Sequence, residues 1–191
     1  YNALLALSAS PGGLPRPTEE RLTLVSDTLL PEALGAGLTL EDVFVDPLVT
    51  ALTCDQPMVP VTIETLRLLK VAAEPAPNTL VHLDDVSDGA ADAAKPYISQ
   101  AYLTMMSAAG IDALVANPLD PDLIDVMRVV RDRDPTTAYD RLLLRLFDVT
   151  KAEVELDPSF ADRTDAEQAK LLRTVQVLNN ELLYADSYIR T

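Results

Sequence analysis

The sequence predicts an α/β fold with a parallel sheet, and three observations carry that expectation. Four short apolar runs rich in β-branched or aromatic residues are each followed by a stretch with helical spacing. Each run ends in polar residues at the same point of its unit. At 191 residues and 48% hydrophobic composition, the chain is long enough to bury a substantial core.

The first unit is the run `NALLALS`, a glycine and proline break, and then `TEERLTLVSDTLLPEALGAG`. Leu22, Val25, Leu29 and Ala33 follow the helical period, with Thr18 as the expected N-cap and Gly35 or Gly37 as the stop. The second unit is `DVFVDPLV`, followed by a helix over Thr62 to Val71 with Ile63, Leu66 and Leu69 or Lys70 on one face. The third is `NTLVHLDD`, a polar loop, and a helix opened by Pro96 that aligns Ile98, Tyr102, Met105 and Ala109. In the fourth, `DALVANPL` precedes Asp120-Pro121, an N-cap and first-turn proline, with Leu123, Ile124, Met127 and Val130 as the helix face.

The remainder is helical in pattern and different in grammar. Asp134-Pro135 is expected to open a helix bearing Tyr139, Leu142, Leu143 and Leu146. Thr164 and Glu167 form a capping-box pattern before Leu171, Leu172, Val175 and Leu178. The stretch `VTKAEVELDPSFADR` between them is expected to be a loop or surface excursion. The chain is expected to be one domain, 1–191, with 129–170 a helical insertion.

Thirty acidic against 15 basic residues give a net charge of −15 without a basic cluster, which argues against nucleic acid and anionic membrane surfaces as partners. Cys54 and His82 are the only residues of their types, so neither a disulfide framework nor a Cys/His zinc site within one chain is expected, and no metal ligands are assigned. A reducing cytoplasm fits one cysteine best. No apolar run reaches the ~20 residues that span a bilayer. The start at Tyr1 leads directly into an apolar run, as in a piece of a longer or processed chain.

Four βα units admit either a small open doubly wound sheet or half of an eight-stranded barrel, and both place function at the carboxyl ends of the strands. Those ends carry Ser8 and Ser10, Asp46, Asp84 and Asp85, and Asn117. `SPGGLP` lacks the spacing of a nucleotide-binding glycine loop. His82 is expected as a hydrogen-bonded structural histidine inside the third strand, and Met105-Met106 as core. Asp84 and Asp85, as neighbours on a strand, point to opposite faces unless the chain has already turned. Asp46 could accept two hydrogen bonds from an amino-pyrimidinone edge, or simply cap the loop that Pro47 begins.

The motifs `NALLALSASPGGLPRPTEERLTLVSDTLLPEALGAGLTLEDVFVDPLV`, `IETLRLLK`, `NTLVHLDDVSDGA`, `KPYISQAYLTMMSAAGIDALVANPLD` and `LNNELLYADSYIR`, in this order, resemble the carboxyl half of the pterin-binding methyltransferases that move a methyl group from methyltetrahydrofolate to a corrinoid cobalt. The resemblance covers nearly the whole chain apart from about 129 to 170. It implies half of a TIM (β/α)8 barrel with extra C-terminal helices, a place in one-carbon metabolism, and a pterin in the barrel mouth. A separate corrinoid protein would present Co(I), and a companion chain or second copy in an oligomer, or a missing amino-terminal part, would complete the barrel.

Residue by residue, the family's pterin-contacting acid falls on Asp46 and its N5-facing asparagine on Asp85, the candidate catalytic residue. A serine of the family falls on Asp84, a close-packing glycine on His82, and an asparagine-arginine pair on Ser99 and Gln100. Ser10 and Asn117 complete the candidate pterin-binding set. Proton donation to N5 would improve the amine as a leaving group, which Asp85 could provide if burial kept it protonated. Several substitutions at one site also allow a non-catalytic scaffold or regulatory subunit derived from the family.

Overall fold

The computed structural model describes residues 3–6 and 13–190, with only the backbone described for residues 3–6. Four strands, β1 (Ala3–Ala6), β2 (Val43–Asp46), β3 (Asn78–His82) and β4 (Ala113–Val115), form one sheet in the order β1-β2-β3-β4. All three pairings are parallel, with Ala6 opposite Asp46, Val45 opposite Thr79, and His82 opposite Val115. The βα expectation is therefore met. The strand order contains no reversal, the feature that defines a doubly wound sheet.

Helices connect the strands. After β1, α1 (Thr18–Leu24) runs through a π-helical turn (Val25–Leu29) into α2 (Leu30–Gly35). After β2 come α3 (Leu52–Asp55) and α4 (Met58–Val71), so the second helix starts earlier than the expected Thr62. After β3, a 3-10 turn (Leu83–Ser87) leads to α5 (Lys95–Ala109). After β4 the chain forms α6 (Pro121–Asp132), α7 (Ala138–Lys151) and α8 (Ala166–Leu178). Among the described residues, no helix is long and apolar enough to cross a membrane.

Alternation along the strands divides the sheet into two unlike faces. Val43, Val45, Thr79 and Val81 are each 0% exposed. Val43 and Val45 join Val25, Ala33 and Leu69 in one apolar cluster, while Val81 joins Leu66, Leu83, Ile98 and Tyr102 in a second, larger one. Their neighbours Phe44, Leu80 and Ala113 are only half-buried, Val115 is exposed, and none of the four belongs to either cluster. One face of the sheet carries the helical layer; the other is open.

The helix α5 is the centre of that layer. Ile98, Ala101, Tyr102, Leu103, Met105 and Met106 point around most of its circumference and are all buried, because α4, α6, α7 and α8 all pack on it. Met105 and Met106 are core, as expected. It stops at Gly110, whose φ of 97° is the left-handed conformation that a helix C-terminus favours.

Residues 129–170, expected as a helical insertion, pack into this layer. Residues 129–132 are the last turn of α6, and Leu142, Leu143 and Leu146 of α7 share the main core with Leu171, Leu172 and Val175 of α8. Burying a leucine this fully contributes about 1.5–3 kcal/mol. The connection between α7 and α8 is mostly exposed, as expected of a surface excursion, and is anchored by the buried Leu156 and Ala161.

Four local expectations need correction. Thr18 is the first residue of α1 and the N-cap is Pro17, without a side-chain cap. The start of α7 is set by Thr137, whose hydroxyl accepts from Asp140 N while Asp140 reaches back, so Asp134-Pro135 lies before the helix. Asp165 caps α8, accepting from Glu167 N and Gln168 N; Thr164 is turned away and donates to Asp162 Oδ1 at 2.7 Å. In α6 the buried stripe is Leu123, Val126, Val129 and Val130, leaving Ile124 and Met127 exposed. The Asp120-Pro121 start, by contrast, is as expected, with Asp120 Oδ1 accepting from Asp122 N and Leu123 N.

Candidate functional site at the strand ends

The carboxyl end of β2 is tightly constructed. Asp46, its last residue, lies half-buried on the open face, and its Oδ1 accepts from Leu48 N at 2.9 Å across buried Pro47. Leu48 has φ 67°, a left-handed conformation that costs a non-glycine residue about 1–3 kcal/mol unless its surroundings impose it. Here the surroundings do. Thr62 Oγ1 on α4 lies 2.8 Å from Leu48 O, and Arg21 Nη1 on α1 donates to Pro47 O at 2.9 Å and Leu48 O at 3.2 Å.

Burial pushes the Asp46 carboxyl above its ordinary value, opposed by the Leu48 N–H and by the charges of His82 and Arg21, and reinforced by the like charge of Asp85. Among the described residues Asp46 Oδ2 accepts no hydrogen bond. The loop-capping role weighed for Asp46 is thus real for one oxygen and leaves the other available to a ligand. Tyr102 stands nearby with 0% exposure, and burial raises its phenol despite the Thr62 hydroxyl and the Arg21 charge. It stays a neutral hydroxyl across the physiological range.

The end of β3 is different in kind. His82, expected as a hydrogen-bonded structural histidine inside the strand, is its last residue and is exposed. The chain then coils into the 3-10 turn, which buries Leu83, Val86 and Ser87 and leaves both Asp84 and Asp85 exposed. Opposite-face alternation therefore does not apply to the two acids. Asp84 O accepts from Ser87 Oγ and Asp85 O from Asp88 N, which fixes the turn through the main chain. The burial expected around Asp85 is absent in this chain. Asp46, by contrast, is half-buried.

His82 and Asp85 both act electrostatically on Asp46, so these three share one rim. The other expected residues disperse. Ser99 is buried within the packing of α5. Gln100 Oε1 accepts from Tyr139 OH of α7 at 2.7 Å, in a separate cavity of about 850 Å³ bordered by Tyr97, Asp122, Thr137 and Lys170. Asn117 is exposed after β4, and its Oδ1 accepts from Leu119 N at 3.0 Å. Ser8 and Ser10 lie outside the described residues.

Sequence reasoning missed Arg21. Its side chain is 1% exposed, and among the described residues it makes no ion pair. Besides Pro47 O and Leu48 O, its guanidinium meets Pro15 O at 3.1 Å, Thr62 Oγ1 at 3.0 Å and Met58 Sδ at 3.8 Å. Burial lowers its pKa from the ordinary arginine value. The available signal was its place one helical step before Val25, on the core-facing stripe.

A scan of the sequence against protein-family models finds no match. The chemistry legible at the rim is thus that of its own residues: a carboxyl with one oxygen unbonded among the described residues and a raised proton affinity, flanked by an imidazole and a second, exposed acid.

Proposed function

We propose that this chain is the pterin-contacting half of a (β/α)8 barrel in a methyltransferase-like protein that moves a methyl group from methyltetrahydrofolate to the cobalt of a corrinoid protein. The observation that carries the reading is Asp46: an acid at the end of a parallel strand, fixed through one oxygen and open at the other, on the uncovered face of the sheet. Such a carboxyl can meet adjacent N–H donors of a pteridine edge. The unreversed strand order and the open apolar face support a half barrel that a preceding amino-terminal part, a companion chain or a second copy completes. One cysteine supports a cytoplasmic setting.

In the reaction the N5–methyl bond breaks as a cobalt–carbon bond forms, the electron pair of Co(I) attacking the methyl carbon. The N5 electron pair leaves with the amine, and a proton delivered there lowers its basicity as a leaving group. Within this reading Asp85 occupies the N5-facing position, and its exposure means that the assembled barrel must supply the burial this role requires. Asp46 holds the ring, with His82 beside it limiting how closely the ring approaches. Activity belongs to the assembled barrel.

Calorimetric titration of the natural assembly with methyltetrahydrofolate tests the proposal. It predicts saturable binding, and no binding would contradict it. A second reading, a non-catalytic scaffold that docks a partner through the open sheet, is favoured by the exposed acids at the β3 end. That reading predicts a stable complex without folate binding, and a chain that remains monomeric contradicts it.

A further inference from the structure

We infer that Arg21 is a positioning residue that holds the Pro47–Leu48 turn in its left-handed form and thereby aims the Asp46 carboxyl across the open face. A buried guanidinium with no carboxylate partner among the described residues is a costly arrangement, and this one is retained among main-chain carbonyls. Two of those carbonyls, Pro47 O and Leu48 O, belong to the turn that follows Asp46.

The geometry closes a circuit. Leu48 N donates to Asp46 Oδ1, so the direction of the carboxyl depends on where the Leu48 amide points. That amide shares one peptide plane with Pro47 O, which Arg21 Nη1 holds at 2.9 Å, and the chain leaves it through a φ of 67°, a conformation leucine does not prefer. Arg21 and Thr62 hold the Leu48 carbonyl from the other side, and Arg21 Nη1 also contacts Thr62 Oγ1 at 3.0 Å. The planar fork is essential, because a lysine ammonium cannot span Pro15 O and Pro47 O with the same fixed geometry. The Arg21 side chain has no route to a ligand of its own, being buried; it acts through Asp46.

This circuit accounts for a charge in the core-facing stripe of α1. It also explains how the turn after β2 keeps its left-handed residue at the edge of an uncovered face. The consequence for a ligand rests on the pterin reading above; the mechanical role does not.

The test is native-state amide hydrogen exchange on Arg21→Lys, Leu48→Gly and the double variant, with the Val81 amide as an internal reference for global stability. Arg21→Lys is expected to lower protection of the residue-48 amide roughly tenfold beyond any loss at Val81, since it removes charge-assisted hydrogen bonds to the turn. Glycine adopts positive φ without strain, so Leu48→Gly in the Arg21→Lys background should recover most of that selective loss. Equal losses at both amides, or no recovery with glycine, would overturn the inference.

Should Arg21→Lys fail to fold, Thr62→Val removes one member of the circuit and is expected to give a smaller selective loss at the Leu48 amide. An unchanged amide there would equally overturn it. In parallel, methyltetrahydrofolate binding to the natural assembly should weaken roughly tenfold in Arg21→Lys and recover in the double variant. Absence of folate binding by the unsubstituted assembly would end the pterin reading while the amide result still decides the role of Arg21.

Discussion

The two faces of the sheet are made by alternate residues of the same strands and have opposite fates. Val81 is fully buried against the main core, while Leu80, its neighbour, is half-buried and belongs to no cluster. The difference is in what lies above each face: α5 and its partners cover one side, and nothing in the described chain covers the other. The covered face supplies stability. The open one carries Phe44, Leu80 and Val115 toward solvent, with Asp46 and His82 at its carboxyl rim.

The comparison is broken most forcefully by truncation on each face. Val81→Ala should cost about 2 kcal/mol in denaturant unfolding, from two lost methyl groups and the cavity they leave. Leu80→Ala removes more carbon yet should cost less than about 1 kcal/mol in the isolated chain, because much of that surface is already wet. Equal costs would show that the open face is packed. A Leu80→Ala cost that rises in the natural assembly would show what the face is for.

The rim can be sharpened by pH. Because burial raises the folded-state pKa of Asp46 above its unfolded value, the folded chain binds more protons between those two values, and stability falls as pH rises through that window. Asp46→Asn should remove this decline, and thermal melts at a series of pH values will show it. On the covered side, Asp112 behaves oppositely. Burial disfavours its charge, but its bonds with Lys70 and with Thr79 N and Oγ1 prevail and hold its carboxyl below the ordinary value. Its stabilisation is present above the unfolded pKa and disappears as pH falls through the folded one, so Asp112→Asn should flatten the acid limb instead.

The smallest expected effects are at the β3 end. His82→Asn and Asp85→Asn should each change unfolding stability by no more than about 0.5 kcal/mol, since both side chains are exposed. A larger loss would mean that this end is constructed like the end of β2.

Much of the fold was legible because periods of two and 3.6 residues alternate clearly from β1 to α6, and because Asp120-Pro121 is an unambiguous helix start. Asp46 was legible too, as the acid that closes an apolar run before proline. The end of β3 was not. Leu83 and Val86 prolong the apolar pattern of the strand, yet they are the buried side of a 3-10 turn, and this difference of winding decides where Asp84 and Asp85 point. Arg21 was hidden because a charged residue in an amphipathic helix is ordinarily at the surface. The packing of α7, in the stretch expected as an insertion, was not legible because the strand and helix grammar stops before it, and contact with α5 depends on side chains distant in sequence. Caps at Thr137 and Asp165 were displaced by one to three residues because several good capping residues stand side by side.

The most direct measurement is a calorimetric titration of methyltetrahydrofolate into the natural assembly, run side by side with its Asp46→Asn and Asp85→Asn variants. The account predicts saturable binding that Asp46→Asn weakens at least tenfold and Asp85→Asn weakens less, because only Asp46 is fixed in place before a ligand arrives. Undiminished binding in Asp46→Asn, or none in the unsubstituted assembly, would contradict it.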